Sequence, residues 1–333
     1  MTLLLLGNSY TFFNDLDLVL QALLVEAGET DAATTRLAEG GLAFPDHVEH
    51  ASSDPAWEEA LVSGTSPWSW GILQDQSQIP GFYGEDAIWE ESAAAGAQLD
   101  DWIEVRGGES LLFLTWGRRD GDATNPTLYP DFPTMQDELT EGYLAYRDRF
   151  STPERPVWVA PAGLAFAAVF ADTPEPADPE GLFYRLYDND GSHPSPLGTW
   201  LAACVLYSAM SGQSAEGLTP PPSVDPIDGE TLAAYAWAVV ESGEGGLEYP
   251  WQGEPGDDTG STGDTATTGD SGPHDSGGPT PDTGETVSPG AGDEVGGCGC
   301  ASGGGERWGL AVSLVAVVWT VRRSATARQA GLR

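Results

Sequence analysis

The chain has 333 residues, of which 52 are Asp or Glu and 13 are basic, giving a formal charge of −39 at neutral pH. All of the basic residues are arginine. So acidic a surface repels phosphate backbones and anionic lipid head groups, which argues against nucleic acid as a partner and leaves solubility as the plain meaning of the charge.

The length allows one α/β domain with a sizeable core plus an appendage, and the composition divides the chain accordingly into residues 1–250, 251–297 and 298–333. Leu3, Leu4, Leu5 and Leu6 are too few to span a membrane and fit a strand buried on both faces in the middle of a parallel sheet. Gly7 ends that strand with a sharp turn. Ser9 then falls just past the carboxyl end of a central strand, where open α/β sheets place their ligands. A serine there is either a nucleophile or an ordinary turn or cap residue. Leu16, Val19, Leu20, Leu23 and Leu24 recur on one helix face, with Asn14 expected as the N-cap and Gly28 as the stop.

Residues 34–38 read as a second strand, ended by Gly40 and Gly41, whose bare backbone lets N–H groups approach a ligand closely. Residues 46–50 read as helical and place His47 and His50 at i, i+3, a spacing open to a metal pair or to a solvated face. No third ligand is tied to them. The third strand, residues 70–73, runs into Gln74, Asp75, Gln76, Ser77 and Gln78. A fourth, residues 110–116, ends at Trp116 and is followed by Gly117, Arg118 and Arg119; a fifth covers 157–160 after a helix over 135–150. Strands that alternate with helices and end in polar or glycine-rich loops predict a doubly wound parallel sheet with its site at the strand ends.

A partner for Ser9 stands after the fifth strand. Of the four histidines only His193 has an acid three residues earlier, Asp190. Both sit before a helix marked by Ser195 as N-cap, Pro196 in its first turn, and Leu197, Trp200, Leu201, Cys204 and Val205 as its buried face. A helix N-terminus disfavours the imidazolium, so general-base action there needs a carboxylate to stabilise the charge, and Asp190 can supply it. The plain alternative is a histidine that only bonds near the helix start.

Taken in order, the blocks Gly7-Asn8-Ser9-Tyr10-Thr11, Gly40-Gly41, Leu73-Gln74-Asp75-Gln76-Ser77, Thr115-Trp116-Gly117-Arg118 and Asp190-Gly191-Ser192-His193-Pro194-Ser195 resemble the SGNH (GDSL-type) hydrolases over roughly residues 1–215. The branch most similar reads Gly-Asn-Ser at its first block. The resemblance implies a flavodoxin-like three-layer sandwich with a five-stranded parallel sheet, and hydrolysis of esters or amides through an acyl-enzyme, acyl esters being expected here; no cofactor and no metal are expected. It implies Ser9 as nucleophile, His193 as base and then acid, and Asp190 as its orienter. The oxyanion would be held by the backbone N–H of Ser9 and that of Gly40 or Gly41. The family's usual Gly-x-Asn-Asp block is replaced here by Gln74-Asp75-Gln76-Ser77, so a glutamine amide, Gln76 or Gln74, is expected in the place of its asparagine. Trp116 and Arg118 are expected at the substrate, Arg118 and Arg119 being open either to an anionic or sugar group or to surface ion pairing. The substrate expected is a small-molecule or glycan ester, O-acetylated carbohydrate first. A rival expectation is a surface adhesion or glycan-binding module that keeps the fold without the chemistry, and the altered third block favours it.

The tail has another character. Residues 251–297 form an acidic Gly/Thr/Asp/Pro-rich tract that cannot bury enough to offset chain entropy, and a flexible spacer is expected. Cys298 and Cys300 follow, then an apolar stretch at 308–321, then Arg322 and Arg323. Fourteen helical residues span only ~21 Å, so the stretch suits a short membrane segment or an interfacial helix. This order resembles the MYXO-CTERM sorting signal of myxobacterial surface proteins, which implies a cell-surface location, a membrane tether and a processing machinery as partner. Export needs a leader, and Met1 runs straight into the first strand, so a misplaced start or a truncated chain is expected.

Overall fold

The computed structural model describes residues 1–84 and 87–253. Five strands, β1 (Thr2–Gly7), β2 (Ala33–Ala38), β3 (Trp70–Leu73), β4 (Glu109–Phe113) and β5 (Trp158–Ala160), form one sheet in the order β2-β1-β3-β4-β5, every pair parallel. The four leucines of β1 are wholly buried, which is why this strand tolerates no polar residue on either face. Leu6 pairs in register with Leu37 on one side and Leu73 on the other.

The order fixes where the helices lie. The step from β1 to β2 runs one way along the sheet and the steps from β2 to β3, β4 and β5 run the other, so right-handed crossovers send their helices to opposite faces. The helices in chain order are α1 (Ser9–Phe12), α2 (Leu16–Glu26), α3 (Phe44–Ser53), α4 (Pro55–Glu58), α5 (Ala87–Val105), α6 (Phe132–Phe150), α7 (Ala162–Asp172), α8 (Leu182–Arg185), α9 (Pro196–Ser211) and α10 (Pro226–Ser242). On one side α2 packs on α9 and α9 on α10; on the other α3 packs on α5 and α5 on α6. This is the flavodoxin-like three-layer sandwich. Its strand order reverses between β1 and β3, and the crevice beyond their carboxyl ends is where such sheets hold a ligand.

Three sequence expectations change in detail. The fourth strand ends at Phe113; Leu114 still donates to the Ala160 carbonyl at 3.0 Å and accepts from the Gly163 N–H at 2.9 Å, and Leu114, Thr115 and Trp116 stay buried. Helix α9 is buried all round from Gly198 to Met210 because α2, α7 and α10 enclose it, where one buried face was expected. Cys204 lies inside it, and burial pushes its thiol well up, so it is an inert core residue. Asn14 is not a helix cap: it has φ +51 and Asp15 has φ +54, a left-handed turn between α1 and α2.

The chain divides into two units, Met1–Ser261 and Thr262–Arg333, and the strands and helices given above, all among the described residues, lie in the first. The expectations for Cys298, Cys300, the 308–321 stretch and nearly all of the spacer lie outside the described residues. Among the described residues no helix is long and apolar enough to cross a membrane.

Candidate active site

The turn after β1 is built on a close approach that only glycine permits. A Cβ on Gly7 would stand 2.1 Å from Thr11 Oγ1 and 2.6 Å from Gln74 Oε1. That space lets Gln74 Oε1 accept from the Asn8 N–H and from the Thr11 hydroxyl, each at 2.9 Å, while Gln74 Nε2 donates to the Asp75 carbonyl. Asn8 caps α1, its Oδ1 accepting from the Tyr10 N–H at 3.1 Å. Its Nδ2 donates to the carbonyls of Leu42 at 2.9 Å and Asp75 at 3.4 Å. An aspartate has no such donor, so the amide at position 8 is chemically specified. One side chain thereby ties together the loops after β1, β2 and β3.

Ser9 opens α1, and His193 reaches it from 184 residues away: Nε2 lies 2.8 Å from Ser9 Oγ. His193 Nδ1 stands 2.5 Å from Asp190 Oδ2, and Asp190 Oδ1 accepts from the backbone N–H groups of Ser192 and His193, both at 2.9 Å. Partial burial pushes the Asp190 carboxyl up, but the bonds from the His193 ring and from those two N–H groups outweigh it and hold the group below the usual carboxylate range. An ionised Asp190 keeps the ring proton on Nδ1. Nε2 then faces the serine hydroxyl with its lone pair, which the hydroxyl can donate to.

The imidazole is held on its faces too. Phe13 stacks on it with centroids 4.2 Å apart, and Tyr10 meets it edge-on at 5.7 Å. The loop that carries it is propped from outside: Trp116 Nε1 donates to the Ser192 carbonyl at 3.1 Å, the Tyr10 and Ser192 hydroxyls lie 2.7 Å apart, and the Arg119 N–H donates to the Gly191 carbonyl at 2.8 Å. Trp116 stacks between Tyr10 at 4.9 Å and Phe166 at 4.4 Å. It is wholly buried. The expectation that Trp116 meets substrate is therefore corrected: it supports the histidine loop from beneath.

The remaining sequence candidates divide. Gln74 is corrected as well, because its buried amide is spent on bracing the Gly7–Thr11 turn and its own chain. Gln76 keeps a partly exposed side chain whose Oε1 accepts from the Gln78 N–H at 2.7 Å and whose Nε2 makes a long bond to Gln78 Oε1 at 3.4 Å. Gly40 and Gly41 are exposed on the loop that Asn8 grips at Leu42; Gly41, at φ +80, needs to be glycine, whereas Gly40 has neither positive φ nor crowding. Arg118 is a quarter exposed and paired with the buried Asp122, Nη1 to Oδ1 at 2.6 Å, with its Nε buried and unpartnered.

The pair His47 and His50 is occupied by other work. His47 Nδ1 accepts from Trp57 Nε1 at 3.0 Å, and burial, with His50 nearby, pushes His47 down to about 4, so it is neutral. His50 Nδ1 bonds the Asp46 carbonyl oxygen at 2.6 Å. Asp75 has a structural part that the sequence hides. Its wholly buried carboxyl accepts from Phe44 N–H, Gln76 N–H, the Ser92 hydroxyl and the Tyr146 hydroxyl, at 3.1, 2.8, 2.7 and 2.8 Å. Burial nevertheless pushes that carboxyl up.

Concavities of about 460 and 380 Å³ lie along α10 and beside β5, lined by none of these residues. The Ser9 site is open instead, with 28 % of the His193 side chain and 49 % of the Asp190 side chain exposed.

A three-layer α/β sandwich with a Ser-His-Asp array at its switch point is the class that fold and site define. Among solved structures the chain is similar to a DUF4886 family protein from Bacteroides uniformis, at 17 % identity and TM-score 0.54, over 74 % of this chain and 99 % of that one. It is also similar to a Slackia heliotrinireducens protein assigned to the SGNH hydrolases (26 % identity, TM-score 0.48, 62 % of this chain and 97 % of that one). A third similarity is to an acetylxylan esterase from Geobacillus stearothermophilus (13 % identity, TM-score 0.42, 62 % and 90 %). No family model and no curated protein matches the sequence.

Proposed function

We propose that the chain is a serine esterase in which Ser9 attacks the ester carbonyl, His193 takes the hydroxyl proton and returns it to the leaving alcohol, and Asp190 holds the ring tautomer and its positive charge. The observation that carries this reading is the unbroken chain Ser9 Oγ to His193 Nε2 at 2.8 Å and His193 Nδ1 to Asp190 Oδ2 at 2.5 Å. Attack forms an acyl-serine and releases the alcohol. Water, deprotonated by the same imidazole, then releases the acid and restores the serine. The developing oxyanion is received by the Ser9 N–H in the first turn of α1, where intrahelical acceptors are missing, with the Gly41 N–H and the Gln76 amide as further donors.

The substrate we assign is a short acyl ester on a large alcohol, O-acetylated carbohydrate before lipid. The exposure of His193 and Asp190 supports it, since a large alcohol can then approach the array from solvent. We place the enzyme at a bacterial cell surface, tethered through its C-terminal segment; this rests on the order of Cys298, Cys300, the 308–321 stretch and Arg322 in the sequence alone. The test is hydrolysis of p-nitrophenyl acetate by the full chain beside Ser9→Ala, with a fall of about 10⁴-fold or more expected. Equal rates for the two would favour a binding module on this fold.

A further inference from the structure

We propose that Asn14 is a positioning residue for the base: its side chain fastens the histidine loop to the nucleophile turn and so sets the separation of Ser9 and His193. Two consecutive non-glycine residues, Asn14 and Asp15, hold positive φ, and they are the only such residues among those described. A left-handed pair of this kind persists where neighbouring structure over-determines it. Arg36 of β2 is one such neighbour, pairing with Asp15, Nη1 to Oδ1 at 3.2 Å, and with Asp17 at the start of α2.

The turn directs the Asn14 amide across to the other loop. Its Nδ2 donates to the Pro194 carbonyl and to Thr199 Oγ1, both at 2.9 Å. Pro194 adjoins His193, and Thr199 lies in the first turns of α9. Phe13, one residue earlier, stacks on the imidazole itself. A single short stretch from Ser9 to Asn14 therefore bears the hydroxyl, a plate beneath the ring and a clasp on the backbone beside it. The spacing of nucleophile and base is fixed locally on one side and needs no long path through the fold. The kinetic consequence rests on the esterase reading; the geometric one does not.

The experiment uses the full chain carrying Asn14→Gly, which keeps the left-handed backbone and relieves its strain while removing both bonds. Asn14→Asp is the second variant: it tolerates the same backbone but has no N–H to give to the Pro194 carbonyl. Three things are measured: the thermal midpoint, kcat and KM for p-nitrophenyl acetate, and the shift of the His193 Nε2 resonance on adding Ser9→Ala. The expected result is a folded protein with KM unchanged and kcat lowered by about 10- to 100-fold, the scale on which small misplacements act. The Ser9→Ala shift, present in the wild-type background, disappears. An unchanged kcat with the shift retained overturns the proposal, as does activity lost only in proportion to unfolded protein in both variants. If the wild type shows no Ser9-dependent hydrolysis the esterase reading fails, and the resonance shift alone then decides for or against the clasp.

Discussion

The two halves of the candidate site are held in opposite ways. The turn after β1, residues 7–11, is buried but for Ser9 and is locked to the loops after β2 and β3: Gly7 leaves room for Gln74, Gln74 accepts from Asn8 and Thr11, and Asn8 bonds Leu42 and Asp75. The histidine loop, residues 188–195, is partly open to water; it is bonded within itself through Asp190 and Asp188 and from outside by Trp116, Tyr10, Arg119 and Asn14. A buried turn couples its geometry to the stability of the sheet, whereas a partly exposed loop can lose alignment without unfolding the chain. Changes in the first region should move stability and turnover together; changes in the second should move turnover alone.

Asp190→Asn is the strongest challenge to that contrast. The amide turns an N–H toward His193 Nδ1 and forces the ring proton onto Nε2, where it blocks acceptance from Ser9, so kcat should fall by about 10⁴-fold. The half-exposed side chain, and an amide oxygen that still accepts from the Ser192 and His193 N–H groups, predict only a small loss in urea midpoint at pH 7. A large loss of stability would show that the loop is as tightly coupled as the turn. Gly7→Ala is the converse case. Its methyl overlaps Thr11 and Gln74, and overpacking of this kind costs about 1–3 kcal/mol, visible in urea unfolding together with lost activity.

If the Gln76 amide meets the oxyanion as proposed, Gln76→Ala should lower kcat by about 100-fold at a nearly unchanged thermal midpoint, its side chain being bonded only to the partly exposed Gln78. A wild-type rate in this variant would remove Gln76 from the site. The smallest effect at neutral pH, and one confined to acid, comes from His47 in the core beside the turn. Its folded value of about 4 lies below the ordinary 6.5, so the unfolded chain binds a proton that the folded chain refuses. Stability should then fall as pH drops from about 6.5 to about 4, by about 3 kcal/mol for this group. Asp75 works the other way, its buried carboxyl being relieved on acidification. Urea unfolding of wild type and His47→Gln at pH 7 and pH 4 isolates the histidine: the wild type should lose more.

Much of the sheet is legible in the sequence because parallel strands buried on both faces leave a distinct trace, as residues 70–73 do without error. Ser9, Asp190 and His193 are legible for a related reason. Strand ends converge on one edge of such a sheet, and Ser195 with Pro196 fixes where α9 begins. The parts of Gln74, Trp116 and Asn14 are not legible. Gln74 and Gln76 stand two residues apart and differ only in which one turns inward, which depends on Gly7 making room far earlier in the chain. An asparagine before a helix reads as a cap whether it caps or takes a left-handed backbone; only the position of Pro194 and Thr199, brought close by the fold, distinguishes the two. Asp75 gathers its four donors from residues 44, 76, 92 and 146, and no local pattern announces such a set.

The most direct measurement is covalent labelling of the full chain with a fluorophosphonate, followed by peptide mapping, in wild type and in His193→Ala. An activated serine predicts one adduct on Ser9 in the wild type and a much slower reaction once the imidazole is removed. No adduct on Ser9, or labelling at the same rate without His193, would contradict the account.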